Sequence, residues 1–545
     1  MNLDFHDYKP ITRPSTPSTG SGTAGTDDFM VQRADVTRIG AFWQLWRSPA
    51  AEAIKKFLYI QKEGEVFYAY RLKSLSETGP LYAPFNLNYQ VRHVEKLLPY
   101  QPIAVSHIVQ SILDNGAAAD GSDTGLGKTY HALAACRELN LRPLIVCRKA
   151  GMAGWRRGCA YLSVTPYLIV NWEMMRTGKV HVNRHHPLIK KNKVILGAET
   201  NKPEYEWRPP RGTLLIFDEA HLGFNDESLN HAMWTASAGI SSISLSATFA
   251  DRPARLKGLF HVLRIMDPAA FDRWLLERGH FVNQYQETES LTALDDMKAI
   301  NRILYPKYGY RVSYDDPEVK KYFPERVIQT EIVNLGEKLV GDQNRAYDEM
   351  MEKAKRFKEL GKQAELMVAD LRYRQYAELL KVRILVELVL DLLYLGKAVV
   401  VFVNFRETLR YLAEALHTRS MIFGDQERFG LSREQVIEDF QQGREKLVLC
   451  TSDAGGQSLD LHDVNGNGQR VSLICPTYNP ITIQQVLGRT FRAGTKSTPI
   501  MKLVYAAGTI EEKVCETVNR KLDNIAALNE GDLMEPDLFN LGVRI

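Results

Sequence analysis

The sequence predicts an α/β fold made of two parallel-sheet units joined by a helical segment. Short apolar strands alternate with helical patterns in two separate parts of the chain, as in parallel sheets. The length of 545 residues suggests about three to four domains at roughly 150 residues each. Hydrophobic residues make up 45% of the chain and charged residues 25%, as in soluble globular proteins. This composition excludes a mostly disordered chain, a fibrous protein and a small disulfide-rich scaffold.

Changes in composition along the chain set the predicted domain boundaries. Residues 9–28 consist mainly of Pro, Ser, Thr and Gly, which is typical of a flexible segment. The stretch around 336–395 is charged and helically periodic. The predicted organisation is a flexible tail (1–35), an N-terminal accessory domain (36–96), a first α/β unit (97–253), a helical inter-lobe segment (254–395), a second α/β unit (396–525) and a C-terminal tail (526–545).

The accessory domain is rich in aromatic residues. Phe42–Trp46 predicts an apolar helix, and the apolar runs 57–60 and 66–70 flank Lys62–Gly64 as in a β-hairpin. These aromatic side chains are expected to form a small core, and the alternative is a platform on which nucleic-acid bases stack.

Short apolar runs mark the predicted strands of the two α/β units. In the first unit the strands are 144–147, 168–170, 214–217 and 243–245. In the second unit they are 399–402, 447–449 and 473–474.

Charge and cysteine content restrict the class of protein further. The 69 basic and 65 acidic residues leave a net charge of +4, which excludes a uniformly basic nucleic-acid coat but allows a local basic groove. Six cysteines without a CxxC pair predict a reducing compartment and no zinc or iron–sulfur site. The first residues lack the pattern of a secretory signal, so the expected location is the cytoplasm or nucleus.

The most apolar stretch is Ile384–Val403. It contains Glu387, Asp391 and Lys397, which are strongly disfavoured in a membrane span. We therefore expect a buried helix followed by a buried strand, and no membrane partner.

The segment Ser122–Thr129, SDTGLGKT, precedes a helical run and matches a phosphate-binding loop (P-loop) with Ser122 in place of the first glycine. Glycines let backbone N–H groups approach phosphates, and the helix N-terminus adds its dipole. In such a loop Lys128 binds the β- and γ-phosphates and Thr129 ligates Mg²⁺. The predicted substrate is ATP with magnesium.

About 90 residues later, an apolar strand ends in Asp218 and Glu219. Adjacent carboxylates at a strand end suit ATP hydrolysis. Asp218 would hold the Mg²⁺ shell, and Glu219 would orient and deprotonate the attacking water.

These motifs give the chain a specific resemblance. Asp218–His221 is the DEAH box of superfamily 2 helicases, Ser246–Thr248 resembles their coupling motif, and Gln485–Arg492 resembles their arginine-finger motif. Within the superfamily, the chain most resembles the Swi/Snf-like, chromatin-remodeller-type ATPases over residues 97–525. Further matches to that group are Leu98–Gln101, Asp123–Thr129, Tyr478–Pro480, Gly508–Lys513 and Arg311 with Val319 and Phe323-Pro324.

Two departures distinguish the chain from that group. Ser246-Ala247-Thr248 stands where the group usually has G-T-P, and Arg492-Ala493-Gly494-Thr495 stands where it usually has R-I-G-Q. The resemblance therefore fits a compact viral, phage or bacterial member as well as a eukaryotic one.

The resemblance implies two tandem RecA-like lobes with the ATP site between them, and it assigns roles to individual residues. The implied catalytic residues are Lys128, Asp218, Glu219, Gln485, Arg489 and Arg492. The implied nucleotide-binding residues are Gln101, Thr124, Gly125, Gly127, Lys128 and Thr129. The implied coupling residues are His221, Ser246 and Thr248.

Nucleic acid is expected to cross one face of both lobes, held by small polar groups and backbone N–H groups that bind phosphates without reading bases. The family pattern places these contacts at Arg148, Lys149, Asn171, Asn404, Arg406, Thr451, Ser452 and Gly455. The basic stretch Lys179–Lys193 contains no acid and predicts either a phosphate-contacting hairpin or a solvated loop.

The sequence therefore predicts an ATP-dependent nucleic-acid motor. The expected activity is that of a DNA-dependent ATPase that translocates on duplex DNA and remodels protein–DNA complexes or branched DNA, with RNA as an alternative partner. Two other readings stay open. One is a strand-separating or branch-migration helicase, and the other is a remodeller that docks on RNA polymerase or another complex through residues 1–96.

Overall fold

The structure is a computed structural model. It describes residues 29–34, 58–63, 66–72, 81, 85–183, 186–191, 204–278, 280–282, 288–290, 293–323, 325–336, 341, 345, 363–424, 426, 430, 432–455 and 459–531.

A three-stranded antiparallel sheet of order β1-β3-β2 stands at the N-terminus. Its strands are β1 (Phe29–Ala34), β2 (Leu58–Glu63) and β3 (Val66–Leu72). The β2–β3 pairing confirms the predicted hairpin. The prediction of a tail up to residue 35 is wrong for 29–34, because this stretch pairs along its whole length with β3. The predicted helix around 42–46 lies outside the described residues.

The first lobe is a six-stranded parallel sheet of order β15-β4-β12-β11-β5-β6. Its strands are β4 (Ala117–Asp120), β5 (Arg142–Cys147), β6 (Leu168–Asn171), β11 (Thr213–Asp218), β12 (Ser242–Leu245) and β15 (Gly309–Tyr310). The four strands predicted in this unit are confirmed. Strand β4 was not predicted, because Ala-Ala-Ala-Asp lacks the β-branched and aromatic residues that mark strands.

Small strand pairs and helices complete this lobe. The pairs are β7 (His181–Asn183) with β8 (His186–Pro187), β9 (Ile189–Lys191) with β10 (Tyr205–Trp207), and β13 (His280–Val282) with β14 (Thr288–Ser290). The helices are α1 (Gln101–Asn115), α2 (Lys128–Glu138), α3 (Met152–Leu162), α4 (Trp172–Met175), α5 (Leu229–Thr235), α6 (Lys257–Val262), α7 (Pro268–Glu277), α8 (Ala293–Leu304) and α9 (Pro317–Lys320).

The second lobe is a six-stranded parallel sheet of order β16-β21-β20-β17-β19-β18. Its strands are β16 (Val327–Val333), β17 (Ala398–Val403), β18 (Met421–Ile422), β19 (Leu447–Thr451), β20 (Arg470–Ile474) and β21 (Ile500–Ala506). Its helices are α10 (Gln363–Leu380), α11 (Val382–Tyr394), α12 (Arg406–Ala415), α13 (Arg433–Gln441), α14 (Ser452–Gly455), α15 (Pro480–Leu487) and α16 (Ile510–Glu530). The three predicted strands are confirmed, and so is the buried strand that ends the stretch 384–403. The helix that precedes it is present, but the prediction that it is buried is wrong, because Leu385 and Val389 are buried while Leu390 is 53% exposed.

The segment 254–395 was predicted to be mostly helical, but it also contains strands. Strand β15 extends the first sheet beside β4, and strand β16 extends the second sheet beside β21. In both cases a strand from 254–395 gains backbone hydrogen bonds from an existing sheet edge, so the inter-lobe chain is bound into both cores.

Helix α16 joins the two lobes. Its first turns, with Val514 and Val518, pack in the core of the second lobe. Its last turn, with Ala527 and Leu528, packs in the core of the first lobe. The predicted C-terminal tail from 526 is therefore wrong for its first residues, because helix α16 continues to Glu530.

The six cysteines are all buried and reduced. No helix within the described ranges has both the length and the apolar character needed to span a membrane.

Candidate ATP cleft and nucleic-acid face

The P-loop connects the end of β4 to the start of α2. Gly125 and Gly127 have φ angles of 86° and 100°, in the left-handed region that favours glycine. A side chain at Gly127 would also collide with Gln101 Nε2. The two glycines of the motif are therefore required by the shape of the turn.

Lys128 begins α2, and its side chain points back into the loop. Its Nζ donates hydrogen bonds to the carbonyl oxygens of Ser122 at 2.7 Å and Asp123 at 3.1 Å. Burial lowers the pKa of Lys128, against the raising effect of nearby carboxylates, of which Asp120 is the strongest. The ammonium group thus lies at the centre of the loop, where phosphate oxygens could replace these carbonyls. Thr129 follows it on the first turn of the helix and is half-buried.

Ser122, at the position of the missing first glycine, is fully buried, and both its backbone N–H and its side-chain hydroxyl are hydrogen-bonded. Its backbone N–H donates to Asp120 Oδ1 at 3.0 Å, and its Oγ accepts from Val312 N at 3.0 Å. Asp120 Oδ2 lies 2.8 Å from Nδ1 of the buried His131. Sequence reasoning missed Asp120 and His131, and the polar residue that ends an otherwise all-alanine strand was the available signal.

Gln101 lies beside the P-loop. Its Oε1 accepts from Leu98 N at 2.9 Å, and its Nε2 donates to Leu126 O at 3.2 Å. The side chain is only 3% exposed. Gln101 therefore links the start of α1 to the loop that would hold the phosphates.

Asp123 ties the P-loop to the far end of α16. Its Oδ1 accepts from Arg311 Nη2 at 2.7 Å, and the same nitrogen lies 2.7 Å from Glu530 Oε1. Its Oδ2 accepts from Tyr314 N at 3.0 Å. Arg311, noted in the sequence only as part of the segment between lobes, thus bridges the P-loop and the C-terminal helix.

Asp218 ends β11 next to the P-loop. Its Oδ2 accepts from Trp155 Nε1 at 2.8 Å, and its backbone oxygen accepts from Trp172 Nε1 at 3.0 Å. Burial and the neighbouring Glu219 raise the pKa of Asp218 to about 6. A cation would relieve the repulsion between these two carboxylates, so Asp218 and Thr129 fit a magnesium site. Trp155 is a further member of the site that the sequence did not indicate.

Glu219 adopts a left-handed backbone conformation with φ 54°. This conformation is strained for a residue with a side chain, and it starts the short 3-10 turn Ala220–Gly223. Burial acts to raise the pKa of Glu219, but the adjacent His221 and the cationic side chains of Arg148, Lys128 and Arg489 hold it below its ordinary value. A carboxylate that stays ionised in a buried cleft is suited to act as a base.

A chain of hydrogen bonds leads from Glu219 to the coupling motif. His221 Nδ1 lies 3.4 Å from Glu219 Oε2 and 3.0 Å from Ser246 Oγ. Ser246 Oγ donates to Thr248 O at 2.8 Å, so its single proton is used and it accepts from His221. Burial lowers the pKa of His221 to about 4. The neutral imidazole with its proton on Nδ1 therefore connects the base to the serine.

The arginine-finger motif of the second lobe lies across the cleft. Gln485 Nε2 is 3.5 Å from Glu219 Oε2. Arg489 is 4% exposed, and burial together with Arg492 lowers its pKa to about 9. Arg492 is held by its own lobe, through Asp460 Oδ1 at 2.7 Å and Leu459 O at 3.0 Å. Asp460 is a partner of the finger that sequence reasoning missed.

The two lobes touch at the P-loop. A Cβ on Gly488 would lie 2.7 Å from Thr124 Cγ2, so the backbone of the finger motif lies directly against the Thr124 side chain of the P-loop. Beside this contact, Tyr314 and Phe323 of the first lobe pack on Phe491 of the second, with ring centroids 4.7 and 5.3 Å apart. The structure therefore has a closed cleft.

The predicted nucleic-acid contacts differ widely in accessibility. Thr451 and Ser452 are buried, and Ser452 Oγ donates to Val403 O at 3.2 Å. A Cβ on Gly455 would lie 2.7 Å from the ring of Phe402. A contact at this point would therefore use backbone N–H groups rather than side chains.

The side chains of two predicted asparagine contacts already have partners. Asn404 Nδ2 donates to Glu378 Oε2 at 2.7 Å and to Pro476 O at 2.8 Å. Asn171 Oδ1 caps α4 by accepting from Met174 N at 2.7 Å. Both side chains stabilise local structure, so they are less available to bind nucleic acid.

The predicted basic contacts are more open. Lys149 is exposed, and Arg406 is exposed with Nη2 donating to Gly424 O at 2.8 Å. Arg148 is half-buried and lies near Glu219. In the basic stretch, β7 and β8 pair antiparallel, so a hairpin is present, but Arg184 and His185 lie outside the described residues. In the described part of the chain no cluster of three or more metal-ligating side chains occurs.

The chain is similar to known helicases in sequence. The family model for the helicase conserved C-terminal domain matches residues 380–494. A protein of Acanthamoeba polyphaga mimivirus, named as an ATP-dependent RNA helicase, is 30% identical over 80% of this chain and 84% of its own length. The DNA repair and recombination protein RAD54 of Saccharomyces cerevisiae is 33% identical over 16% of this chain and 10% of its own length.

One solved structure that resembles the chain is the Sulfolobus solfataricus SWI2/SNF2 ATPase core in complex with dsDNA. The two are 16% identical, with a TM-score of 0.32, over 82% of this chain and 96% of that one.

Proposed function

Because the chain belongs to the helicases and parts of it match an SNF2 domain-containing protein and RAD54, we propose that it is a DNA-dependent ATPase of the Swi/Snf-like type that translocates on duplex DNA. Membership of this family makes the chain a nucleic-acid-dependent motor that hydrolyses ATP. The contact between the two lobes at Gln485 and Glu219 gives this proposal its strongest support. Gln485 of the second lobe reaches to 3.5 Å from Glu219 of the first, so the hydrolytic centre is complete only when the lobes are closed.

Hydrolysis requires a base, fixed positive charge and water in line with the γ-phosphate. Lys128 and the N–H groups of the P-loop bind the β- and γ-phosphates, and Gln485 helps to orient the water at Glu219. Glu219 takes a proton from the attacking water while the water oxygen forms a bond to the γ-phosphorus. The bond from that phosphorus to the ADP oxygen breaks. Thr129 and Asp218 would hold Mg²⁺, which would supply charge neutralisation at the phosphates.

Arg489 and Arg492 stabilise the charge on the transferring phosphoryl group from across the cleft. Arg492 has to exchange Asp460 and the carbonyl of Leu459 for phosphate oxygens. Arg489 is already buried in the cleft beside Glu219. Repeated closing and opening of the lobes can then move the protein along a strand, with Ser246 and Thr248 relaying the nucleotide state. An Arg489→Ala protein that hydrolysed ATP at the normal rate would count against this mechanism.

Duplex DNA is the substrate that the resemblance favours. Motifs of the Swi/Snf-like group occur throughout 97–525, and RAD54 is named for DNA repair and recombination. The predicted contact points offer backbone N–H groups and exposed cations, which suit phosphate binding without base recognition.

A strand-separating helicase acting on RNA is the second candidate. It is favoured by the name of the mimivirus relative, an ATP-dependent RNA helicase. Ser246-Ala247-Thr248 also has the form found in general helicases, and its serine is fully engaged in the relay from His221. Docking on another protein complex through residues 1–96 remains a third proposal, which predicts low ATPase activity with nucleic acid alone.

The test is steady-state ATPase activity with duplex DNA, single-stranded DNA, forked DNA, single-stranded RNA and duplex RNA. We expect duplex DNA to give the largest stimulation, and Glu219→Gln to abolish hydrolysis with every substrate. Stimulation by RNA alone would overturn the proposed substrate. Activity that survives in Glu219→Gln would overturn the proposed site.

A further inference from the structure

Sheet register places Arg148 beside the catalytic carboxylates. Strands β5 and β11 are parallel neighbours, with Val146 opposite Phe217. Because the two strands run in the same direction, the next residues, up to Arg148 and Glu219, leave the sheet side by side at its carboxyl edge. The P-loop and the coupling motif leave the same edge from β4 and β12.

Arg148 forms no salt bridge within the described residues, although its charge acts on the nearby Glu219. It is half-buried, and its Nε is buried without a hydrogen-bond partner among those residues. Lys149, by contrast, is exposed. An arginine with a buried, unsatisfied nitrogen is costly unless an anion completes its hydrogen bonds.

The charge of Arg148 acts on both sides of the cleft. Its field reaches Glu219 and His221 in its own lobe and Arg489 in the opposite lobe. Two nearby guanidinium groups repel, and an anion between them reverses this repulsion. The anion that the cleft is built to take is the terminal phosphate of ATP, next to Glu219.

We propose that Arg148 is a further catalytic residue of the ATP cleft, whose guanidinium contacts the γ-phosphate between Glu219 and Arg489. This inference rests on the proposed roles of Glu219 and Arg489. It replaces the expectation that Arg148 contacts nucleic acid. A guanidinium suits this position because it stays charged and can donate two parallel hydrogen bonds to a phosphate.

The test compares Arg148→Met, Arg148→Lys and the exposed control Arg157→Met on α3. At saturating nucleic acid, kcat for ATP hydrolysis should fall by about 10²-fold or more in Arg148→Met, in line with the loss of one preorganised donor to a developing charge. Arg148→Lys should recover part of this loss, and Arg157→Met should behave like the wild type. KM for ATP should change much less than kcat.

Nucleic-acid binding, measured against salt concentration, separates the two roles. Arg148→Met should keep the affinity and the salt slope of the wild type, whereas Lys149→Met, at an exposed phosphate contact, should reduce the slope by about one phosphate contact. Arg148→Met with normal kcat and a reduced slope would overturn the inference and return Arg148 to the nucleic-acid face. Equal loss of kcat in Met and Lys variants, with altered folding by circular dichroism, would also overturn it. If Glu219→Gln leaves hydrolysis intact, the proposed site itself fails instead.

Discussion

Ser246 is the residue at which the hydrolytic and coupling parts of the cleft meet. Its hydroxyl accepts from His221 and donates to Thr248 O. A proton transfer or a shift at Glu219 therefore reaches the loop that follows β12 through one hydroxyl group. The serine stands where the Swi/Snf-like group usually has glycine, and a glycine could not form these two hydrogen bonds, so we propose that they relay the nucleotide state.

Replacing Ser246 with glycine should separate hydrolysis from movement. We expect ATPase activity in Ser246→Gly to fall by only about 2- to 5-fold, because one hydrogen bond contributes about 1 kcal/mol. Displacement activity per ATP hydrolysed should fall further. The matched control is Ser242→Ala on β12, the strand that precedes Ser246, because Ser242 is a buried serine whose Oγ has no hydrogen-bond partner in the described residues. Equal losses of ATPase and displacement activity in Ser246→Gly would contradict the relay.

His107 predicts a dependence of stability on pH. Its ring stacks between Phe85 and Tyr310, with centroids 5.2 and 4.2 Å away, and burial lowers its pKa to about 4. The unfolded chain binds a proton near pH 6.5 while the folded protein does not. Stability from His107 is therefore complete above about pH 6.5 and is lost as the pH falls towards 4.

The measurement is the urea midpoint at several pH values. The midpoint of His107→Gln should fall less between pH 7 and 4 than that of the wild type or of His417→Asn, an exposed control. Identical pH dependence in all three proteins would contradict a buried, neutral His107.

At the residue scale, the sequence predicted most of the chemistry but not the packing that holds it. Lys128, Asp218 and Glu219 follow from local motifs, since a P-loop and an acidic strand end are readable along the chain. Trp155 holds Asp218, Asp460 holds Arg492, and Asp120 holds Ser122 of the P-loop. Such partners depend on which strands become neighbours, and no local pattern contains that information.

At the element scale, helix α16 is the part that links the lobes. Asn529 Nδ2 donates to Ala247 O at 3.3 Å, and Glu530 lies 2.7 Å from Arg311, which in turn holds Asp123 of the P-loop. The helix thus contacts the coupling motif and the P-loop from a base in the second lobe.

Loss of the Glu530 charge should weaken ATP binding. In Glu530→Gln the Arg311 guanidinium loses one of its two carboxylate partners, so the position of Asp123 becomes less fixed. We expect KM for ATP to rise by about 3- to 10-fold, which corresponds to about 0.7–1.4 kcal/mol. Glu516→Gln, an exposed position on the same helix, should leave KM unchanged. An unchanged KM in Glu530→Gln would show that the helix end does not act on the P-loop.

The elements that the sequence did not predict share a physical reason. Strands β4, β15 and β16 are short, or alternate weakly, or lie in a stretch with helical neighbours. Each is stabilised by pairing with neighbouring strands, β4 inside the first sheet and β15 and β16 at sheet edges, and local propensity cannot show this pairing. The long apolar strands β11, β17 and β19 are predicted correctly because burial on both faces leaves a continuous apolar run.

At the scale of the whole molecule, cleft closure brings the two halves of the site together. Closure depends on the contact of Thr124 with Gly488 and on the rings of Tyr314, Phe323 and Phe491. A methyl group on Gly488 would meet Thr124 at 2.7 Å, which is closer than real Cβ contacts allow.

Gly488→Ala should therefore hold the lobes apart. We expect kcat for ATP hydrolysis to fall by about 10-fold or more, because Arg489 and Gln485 no longer reach Glu219. Binding of nucleic acid to each lobe should persist. Gly239→Ala is the control, since a Cβ there has no neighbour within 4 Å. Normal kcat in Gly488→Ala would mean that hydrolysis does not need this closed arrangement.

We propose that ATP hydrolysis in this cleft drives movement of the protein along duplex DNA without full strand separation. Displacement of a triplex-forming strand from duplex DNA tests it most directly. The wild-type protein should displace the third strand only with hydrolysable ATP, and it should leave the underlying duplex paired. Arg489→Ala should bind the same DNA without displacing the strand. Failure of the wild type to displace the third strand while hydrolysing ATP, or separation of the duplex itself, would contradict the claim.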